Sequence, residues 1–545
     1  MSWLQVRSRA AALLVAGLLV GCSRVSSTGN GRHPWTQPNV LRIGLTTSPA
    51  SLSPILATDT TEGMLARLVF DPLTASNAQG QTIPILARVV PTISNGGISR
   101  DGRTITFHLR HDVRWQDGVP FTSRDVAFTY RAIVNPNNNV GTNYGFTVVD
   151  HVLTPDQFTV VFILRHPFAP IIATLFGDSD NPYQILPAHL LEHEKSLNAI
   201  AFNSAPLGTG PYIFERWIRG ERLEYRANPH YFLGKPQLAH IIVNLLPDEN
   251  TALNELRTHE IDWLFEPSPH TLPQILRMAD IRTTITQLNA YSGMLINLNR
   301  PSLQDIRVRR ALAAAIDKSA IVRRLTFGTA TLADTDLPAW LWAANPLARA
   351  DRYNPTKARE LLRSAGFTVG QDGILTRAGQ RLSLQLSYAQ GNATAALEAV
   401  AVQADLHNVG IEALIHPYTP TLLYAPYAMG GILARGRYDL NLSGWYSGTD
   451  PDNSSQFLCS ARPPNGSNYT GYCNQEMEQA QADALATYVR PARKAAYAQI
   501  EANLARNVPQ IFFYHPRNLE AFNPDFQGLA PSPIVESWNA YRWRI

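Results

Sequence analysis

The chain has 545 residues, of which 45% are hydrophobic and 17% charged, and this is enough apolar sequence for more than one hydrophobic core. Its formal net charge is only +4, and Lys and Arg are not concentrated in any one run. This charge pattern excludes the strongly basic surface that nucleic-acid-binding proteins use.

The N-terminus has the pattern of a secretory signal. Arg7 and Arg9 precede an apolar run, Ala10–Val20. A bilayer span needs about 20 apolar residues, so this run is too short for an anchor helix and has the length of a signal-peptide core. We predict a signal peptide over residues 1–21 and therefore an exported protein.

The end of that run resembles the lipobox of bacterial lipoproteins. It reads Leu-Val-Gly-Cys and ends at Cys22. The resemblance implies cleavage before Cys22, acylation of its thiol, and attachment by lipid to a membrane in the periplasm or at the cell surface. Residues 22–39, rich in Ser, Gly, Asn and Pro, would then be a flexible tether. The alternative is an ordinary signal peptide with an incidental cysteine.

The first folded element is predicted to be a strand over Leu41–Leu45. The loop Thr46–Pro54, rich in Ser and Pro, follows it. In a two-lobed α/β protein the loops that leave strand ends converge on the ligand, so this loop and its Ser48 are candidates for ligand binding. The run Thr60–Val69 predicts a helix.

The next stretch of the chain is rich in predicted strands. Thr104–Arg110 alternates apolar and polar residues, which predicts a half-buried strand and places His108 on its solvated face. Thr122–Asp125 has the pattern of a capping box and predicts the start of a helix.

The stretch Tyr438–Asp452 is the strongest candidate for a ligand site. Leu440 and Leu442 alternate with polar residues, which predicts a strand, and Gly444 begins a run of turn-forming residues. We expect the strand to end there and the following loop to meet the ligand, with Gly444 offering main-chain groups and Trp445 a flat apolar wall. The alternative is a surface turn with one tryptophan packed beneath it.

Two cysteines remain after Cys22, and they are Cys459 and Cys473. In an oxidising compartment we expect them to form a disulfide, worth roughly 3 kcal/mol in the loop-entropy model. No metal site is expected from them, because two cysteines supply too few ligands.

Several colinear motifs point to one family. They are Thr106–Ile133, TFHLRHDVRWQDGVPFTSRDVAFTYRAI; Pro206–Tyr212, PLGTGPY; Tyr225–Gly234, YRANPHYFLG; Arg307–Val322, RVRRALAAAIDKSAIV; and Tyr353–Phe367. In this order they resemble the family 5 extracellular solute-binding proteins, the dipeptide, oligopeptide and nickel receptors of ABC importers. The resemblance spans about Val40 to Ile545, and the loop between Cys459 and Cys473 is most similar to the dipeptide-binding branch.

The resemblance implies an α/β fold like that of the type II periplasmic-binding proteins, with two lobes around a ligand cleft and an extra strand-rich domain inserted in the first lobe. The implied boundaries are residues 40–70, 205–287 and 518–545 for lobe 1, 71–204 for the inserted domain, and 288–517 for lobe 2. The chain would cross between the lobes at Gln287–Tyr291 and His515–Asn518. Tyr291 is therefore a candidate ligand-binding residue beside the hinge.

The function implied by the resemblance is capture of peptides in the cleft and their delivery to an ABC permease. The chain would be a monomer without enzymatic activity, cofactor or nucleic-acid partner; neither a G-x-S-x-G nor an H-E-x-x-H motif occurs in it. Two alternatives stay open. One is a chaperone-like or structural envelope lipoprotein, and the other is a family 5 receptor for a metal chelate, glutathione or an oligosaccharide.

The chain departs from its relatives at two ligand anchors. In the dipeptide and oligopeptide receptors an Asp three residues after the tryptophan binds the ammonium group of the peptide, and Gly448 stands at that place here. Asp450 and Asp452 follow, and we expect Asp450 to bind the ammonium group instead; alternatively, it only caps the turn at Pro451. The Arg that fixes the carboxylate of a dipeptide is also absent from Tyr388–Asn392. Because a buried carboxylate without a cation is costly, we expect a longer or differently terminated peptide.

Overall fold

The structure is a computed structural model that describes residues 32–57, 59–179 and 181–545. The predicted signal peptide, Cys22 and the predicted tether up to residue 31 lie outside these ranges. Within them, no helix combines the length and the apolar character needed to cross a membrane.

The strands and helices of the described residues alternate along the chain. The strands are β1 Val40–Leu45, β2 Thr74–Ser76, β3 Thr82–Pro84, β4 Thr104–His108, β5 Val149–Asp156, β6 Thr159–Leu164, β7 Tyr212–Ile218, β8 Arg222–Ala227, β9 His240–Leu245, β10 Trp263–Leu264, β11 Arg282–Gln287, β12 Ala290–Ile296, β13 Ala330–Leu332, β14 Thr368–Val369, β15 Leu375–Arg377, β16 Gln380–Arg381, β17 Ser383–Ala389, β18 Glu412–Tyr418, β19 Leu440–Tyr446 and β20 Gln510–Phe522. The α-helices are Thr60–Val69, Ser123–Val134, Ile171–Thr174, Ala188–Leu191, Glu249–Arg257, Leu272–Ile275, Pro301–Gln304, Ile306–Ala315, Lys318–Leu325, Pro355–Ser364, Ala393–His407, Pro420–Leu423, Ser454–Phe457, Gln475–Ala486 and Arg490–Asn507.

Local sequence signals set the ends of several helices as predicted. The side chain of Asp59 accepts a hydrogen bond from the Glu62 amide at 2.8 Å and caps the helix Thr60–Val69, whose bounds match the prediction. Thr122 and Asp125 form the predicted capping box of the helix Ser123–Val134. These signals lie within three residues of the ends they set, so they can be read from sequence.

One mixed sheet of twelve strands runs through both lobes. Its order is β18-β17-β19-β12-β20-β10-β1-β9-β8-β7, and β11 and β13 also pair with β20. β1 pairs in parallel with both β9 and β10. Its Leu41, Ile43 and Leu45 are at most 1% exposed, as expected for a central parallel strand that is covered on both faces.

The long strand β20 belongs to both halves of this sheet. Its first part, residues 510–514, pairs with β12, and its second part, residues 517–522, pairs with β11. The partners therefore change between Gln287 and Ser292 on one chain segment and between Tyr514 and Arg517 on the other. These intervals overlap the two segments where we expected the chain to cross between the lobes.

The hydrophobic core is divided differently from the predicted domains. Leu41 and Trp543 of lobe 1 belong to the same buried cluster as Phe107 and Phe162 of the inserted residues. Lobe 2 has separate clusters, one of which contains Phe513. The inserted residues thus extend the core of lobe 1, and packing is continuous across the boundary that we predicted at residue 70.

The prediction that a strand ends at Gly444 is wrong. β19 continues to Tyr446 because it pairs antiparallel with β12, and Ser292 lies opposite Gly444 and Tyr291 opposite Trp445. A Cβ atom on Gly444 would lie 2.5 Å from the carbonyl oxygen of Tyr291, so the glycine permits this close approach. The turn-rich composition misled the prediction because pairing with a distant strand outweighs local preference.

Cys459 and Cys473 form the predicted disulfide in the structure, with Cα atoms 4.7 Å apart. The loop that they close includes Asn468, whose side chain donates to the carbonyl oxygens of Leu458 and Tyr472 at 2.9 and 2.7 Å. The loop is thus also tied internally by hydrogen bonds.

We predict that replacing both cysteines by serine lowers the free energy of unfolding by about 3 kcal/mol, because the open loop gains entropy in the unfolded chain. Urea unfolding of the wild-type protein and the double variant, each without reductant, measures this difference. Equal unfolding midpoints with equal slopes would contradict the prediction. As a control, the wild-type protein in reductant should unfold at the same urea concentration as the double variant.

Candidate ligand-binding cleft

Three cavities lie between the lobes and meet at the end of β19. We define the acidic cavity by Asp59, Gln184, Glu266 and Glu536, the tyrosine cavity by Tyr291, Tyr424, Tyr514 and Glu398, and the tryptophan cavity by Tyr144, Trp445, Asp450 and Asp452. Their volumes are about 890, 910 and 440 Å³, including space open to solvent. Tyr446 lines the first two, and Ser447 lines the first and third, so the three cavities are neighbours along the end of β19, and we refer to them together as the cleft.

Two carboxyl groups of lobe 1, Glu266 and Glu536, line the acidic cavity, and they share a hydrogen-bond donor with a third, Glu520. The side-chain nitrogen of Asn518 lies 2.9 Å from Glu266, 3.1 Å from Glu520 and 2.7 Å from Glu536. The Thr60 hydroxyl also donates to Glu266 at 2.7 Å. Among the described residues, no Lys or Arg forms an ion pair with any of the three.

Burial and mutual repulsion both act on these carboxyl groups. Burial raises the pKa of Glu266, Glu520 and Glu536, because an ionised carboxylate loses its hydration there. Repulsion from neighbouring acidic groups raises each pKa further, and the pKa of Glu536 reaches about 8. At neutral pH the cluster therefore keeps protons that isolated carboxyl groups would lose.

The tyrosine cavity is formed mainly by lobe 2 and contains groups of both charges. The Tyr514 hydroxyl donates to Glu398 at 2.6 Å, and burial raises the pKa of Glu398 to about 7. Arg517 lines the same cavity, and its Nε has no hydrogen-bond partner in the part of the chain that the structure describes. Tyr291 lies in its wall, where its hydroxyl donates to Gln456 at 2.5 Å.

The structure does not support Asp450 as an ammonium anchor. Arg493 binds both of its carboxylate oxygens, at 2.6 and 2.7 Å, and the side chains of this pair are only 16% and 8% exposed. The charge that we expected to meet the ligand is therefore already neutralised. The amide of Asp452 also donates to Asp450 at 3.1 Å, which agrees with the turn-capping alternative.

Asp452 joins the inserted residues to lobe 2. Its carboxylate accepts a hydrogen bond from the Tyr144 hydroxyl at 2.8 Å and another from the Ser454 amide at 3.0 Å. Burial raises its pKa, and repulsion from Asp450 adds to the shift. Asp452 therefore contributes a contact across the cleft and has two donors of its own.

Gly448 stands where the resemblance places an aspartate, and the structure explains the glycine. A Cβ atom there would lie 2.5 Å from the carbonyl oxygen of Asp178 and 2.5 Å from the Cα of Ser179. The Thr449 amide donates to that same carbonyl oxygen at 2.9 Å. The backbone of the inserted residues thus occupies the space that an aspartate side chain would need.

Of the other predicted site residues, Trp445 and Gly444 lie in the cleft and Ser48 lies outside it. Trp445 is half-buried against the buried cluster that contains Tyr291 and lines the tryptophan cavity, whereas Gly444 lines the tyrosine cavity. Ser48 is exposed, because its loop is held on the helix Thr60–Val69 where Ala50 donates to Glu62 at 2.8 Å. The structure brings Pro54 and Ala57 to the cavity wall instead of Ser48.

Sequence reasoning missed four of the residues that shape the cleft. They are Tyr446, Glu266, Glu398 and Glu536. Glu398 had a usable signal, because it interrupts a run of alanine, leucine and valine over residues 395–402 of the helix Ala393–His407. Glu266 and Glu536 had no such signal, since they are distant in sequence and meet only through the fold.

The chain is similar in sequence to known solute-binding proteins. A family model described as bacterial extracellular solute-binding proteins, family 5 Middle, matches residues 81–466. Protein XP55 of Streptomyces lividans is 30% identical over 534 residues, which cover 96% of this chain and 92% of that protein. Oligopeptide-binding protein AppA of Bacillus subtilis is 25% identical over 552 residues, and these cover 97% of each chain.

A solved structure agrees with this similarity. NikZ from Campylobacter jejuni in complex with Ni(L-His) superposes with a TM-score of 0.79 at 28% identity, covering 94% of this chain and 100% of that chain. The match extends over both lobes and the cleft. It thus shares the two-lobed α/β architecture that the sequence motifs imply.

We predict that Asp450→Asn lowers the free energy of unfolding by about 3 kcal/mol, because it leaves the Arg493 guanidinium buried without its partner. The double variant Asp450→Asn with Arg493→Met should recover part of this loss. Urea unfolding of the wild-type protein and the variants measures both effects. A single variant as stable as wild type would show that the ion pair contributes nothing.

The raised pKa of Glu398 predicts a pH-dependent stability. In the folded protein the Glu398 carboxyl keeps its proton up to about pH 7, whereas in the unfolded chain it loses the proton near the ordinary pKa of 4.5. The protonated carboxyl therefore contributes fully to the free energy of unfolding below pH 4.5, and this contribution is lost as the pH rises through 7. Between pH 4 and 8, wild type should lose about 3 kcal/mol of unfolding free energy relative to Glu398→Gln. Urea unfolding across this range tests it, with the exposed Glu360→Gln as control. A constant difference between wild type and Glu398→Gln would contradict the shift.

Proposed function

The chain belongs to the bacterial extracellular solute-binding proteins of family 5, and on that premise we propose that it captures peptides between its lobes and delivers them to the permease of an ABC transporter. Members of this family are receptors that bind solutes, so we assign no catalytic step to the cleft. The relative from Bacillus subtilis is named for binding oligopeptides, which supports the choice of ligand class.

The observation that carries this proposal is a free strand edge inside the cleft. β17 pairs with β19 only at Leu440 and Asn441, whereas β12 pairs with β19 up to Tyr446. Within the described residues, the other edge of β19 from Leu442 to Tyr446 therefore has no partner strand. An extended peptide can bind such an edge through main-chain hydrogen bonds, which accept any side chain.

The cavities on either side of this edge suit the side chains of a peptide. They are large, include solvent space, and are lined by aromatic and polar groups. Water can fill the space that a small side chain leaves, so such pockets tolerate different sequences. A ligand that touches both lobes stabilises the closed arrangement by the contacts it makes only there.

The protein would work outside the cytoplasm as a monomer. Acyl chains on Cys22 would hold it at a membrane, and residues 22–39 would let the folded body reach the permease. ATP hydrolysis would take place in the transporter, because the chain contains no P-loop motif.

The test of the peptide proposal is calorimetry with peptides of two to nine residues on protein that has been unfolded and refolded to remove retained ligand. We expect binding, tightest for peptides longer than two residues. Binding of nickel with histidine, and of no peptide, would overturn the proposal in favour of a metal-chelate receptor.

We predict that Tyr446→Ala weakens peptide binding about tenfold, because it removes the aromatic side chain that lines both the acidic and the tyrosine cavity. Its side chain is 56% exposed, so thermal stability should change little. Tyr353→Ala is the matched control, since Tyr353 is 46% exposed and lies outside the three cavities. Equal affinities of wild type and Tyr446→Ala would place the ligand elsewhere.

A further inference from the structure

We propose that the acidic cavity binds a cationic group of the ligand, an ammonium or guanidinium, through Glu266, Glu536 and Gln184 of lobe 1 and the inserted residues. The inference rests on the proposed capture of peptides and adds a charge requirement to it. The cationic group can come from the N-terminus of a peptide or from a Lys or Arg side chain. Both present the same hydrogen-bond donors and the same charge to the cavity.

The carboxyl cluster has fewer hydrogen-bond donors than it can use. The amide nitrogen of Asn518 carries two hydrogens, yet oxygen atoms of three carboxyl groups lie within 3.1 Å of it. At least one carboxyl oxygen is therefore left without a donor from Asn518. Glu520 is compensated by the Trp263 indole, which donates at 2.6 Å, and Glu266 by the Thr60 hydroxyl.

Among the described residues, Glu536 accepts hydrogen bonds from Asn518 and from its own backbone amide. Asn518 is the side chain that donates to it, and burial together with repulsion from Glu266 opposes its ionisation. It lines the acidic cavity although it is only 3% exposed. A cation placed there would add donors and relieve the repulsion at once.

An independent observation comes from Gln184, which lies in the inserted residues. Its side chain donates through Nε2 to the carbonyl oxygen of Pro182, which fixes the amide orientation and leaves Oε1 as an acceptor. This oxygen is buried and accepts no hydrogen bond from any described residue. Gln184 is 1% exposed and lines the acidic cavity, so a second wall also offers an unused acceptor.

Among the described residues, the charges around the cavity do not supply a competing cation. The titratable groups that face Glu536 and Glu266 are Asp59, Glu520 and Tyr446, and none of them is positive at neutral pH. Arg517 lies in the tyrosine cavity, on the other side of Tyr446. A peptide along the free edge of β19 can therefore place its cationic group in the acidic cavity while its other end extends toward Arg517.

This assignment differs from the one that the sequence suggested. The family position for an ammonium anchor is Gly448, and Asp450 is already paired with Arg493. The acidic cavity lies on the lobe 1 side of the cleft and has no such partner among the described residues. The chain thus compensates in lobe 1 for an anchor that lobe 2 cannot hold.

Three pools of peptides of two to nine residues, built from Ala, Leu and Ser, test the inference on the refolded full-length protein by calorimetry. The first pool has free N-termini, the second is N-acetylated, and the third is N-acetylated with one Lys in each peptide. We expect the second pool to bind roughly tenfold more weakly than the first or the third, because an acetylated peptide without Lys brings neither a cation nor its hydrogen-bond donors to the carboxyl groups. Preference for the first pool would assign the cavity to the N-terminus, and preference for the third would assign it to a basic side chain.

The variants Glu536→Gln and Glu266→Gln should each weaken binding of the preferred cationic pool roughly tenfold while leaving the acetylated pool unaffected. Both should unfold at the wild-type temperature or above it, because each removes repulsion inside the cluster. Glu501→Gln is the matched control: Glu501 is 1% exposed, burial raises its pKa to about 8, and it lies outside the three cavities.

The possible failures are distinguishable. If wild type binds the acetylated pool as tightly as the cationic pools, the charge requirement is wrong and peptide capture stands. If wild type prefers a cationic pool but both variants keep that preference, the cation is bound elsewhere in the cleft. If wild type binds none of the pools, peptide capture itself fails and the inference fails with it. If a variant does not fold, Gln184→Leu takes its place, and it should weaken binding of the preferred cationic pool in the same way.

Discussion

The continuous strand β20 is the constraint on which the rest of the molecule depends. It supplies neighbours to β12 in lobe 2 and to β11 in lobe 1, so a single backbone keeps both lobes in one sheet. His515 lies between these two parts and is buried, with its Nδ1 2.8 Å from the carbonyl oxygen of Ala290. Burial lowers the pKa of His515 to about 4, so this imidazole carries no charge at neutral pH. We therefore propose that the lobes move relative to each other at these two adjacent backbone segments.

The cleft combines contacts that need no ligand with charges that do. Thr449 and Asp452 connect lobe 2 to the inserted residues through Asp178 and Tyr144. These contacts join the two sides of the cleft without any ligand. The carboxyl groups of Glu266 and Glu536 both belong to lobe 1, where burial and repulsion from neighbouring acidic groups raise their pKa values in the absence of a cation. A ligand that neutralises them would shift the balance toward closure by the difference in its contacts with the two arrangements.

Sequence reasoning recovered the features that depend on neighbouring residues. The helix Thr60–Val69, the capping box of Thr122 and the disulfide of Cys459 with Cys473 were all predicted, because periodicity, capping and cysteine count are local or compositional signals. The motifs of the family also gave the two-lobed architecture. The end of β19 was placed too early because the pairing of Gly444 with Ser292 is not visible in composition.

The chemistry of the cleft was predicted less well, for a physical reason. Asp450 was assigned to the ligand because its partner Arg493 lies 43 residues away and no pattern connects the two. Glu266, Glu520 and Glu536 converge on Asn518 only when β20 pairs within lobe 1. A charge in the sequence shows that a partner is needed, but only the fold shows whether the chain provides it.

The most direct test of the central claim is native mass spectrometry of the protein purified from its producing cells without unfolding. We expect adducts that dissociate from the folded protein on activation and that fragment as a series of short peptides. Adducts that contain a metal ion, a saccharide or another solute in place of peptides would contradict peptide capture in the cleft.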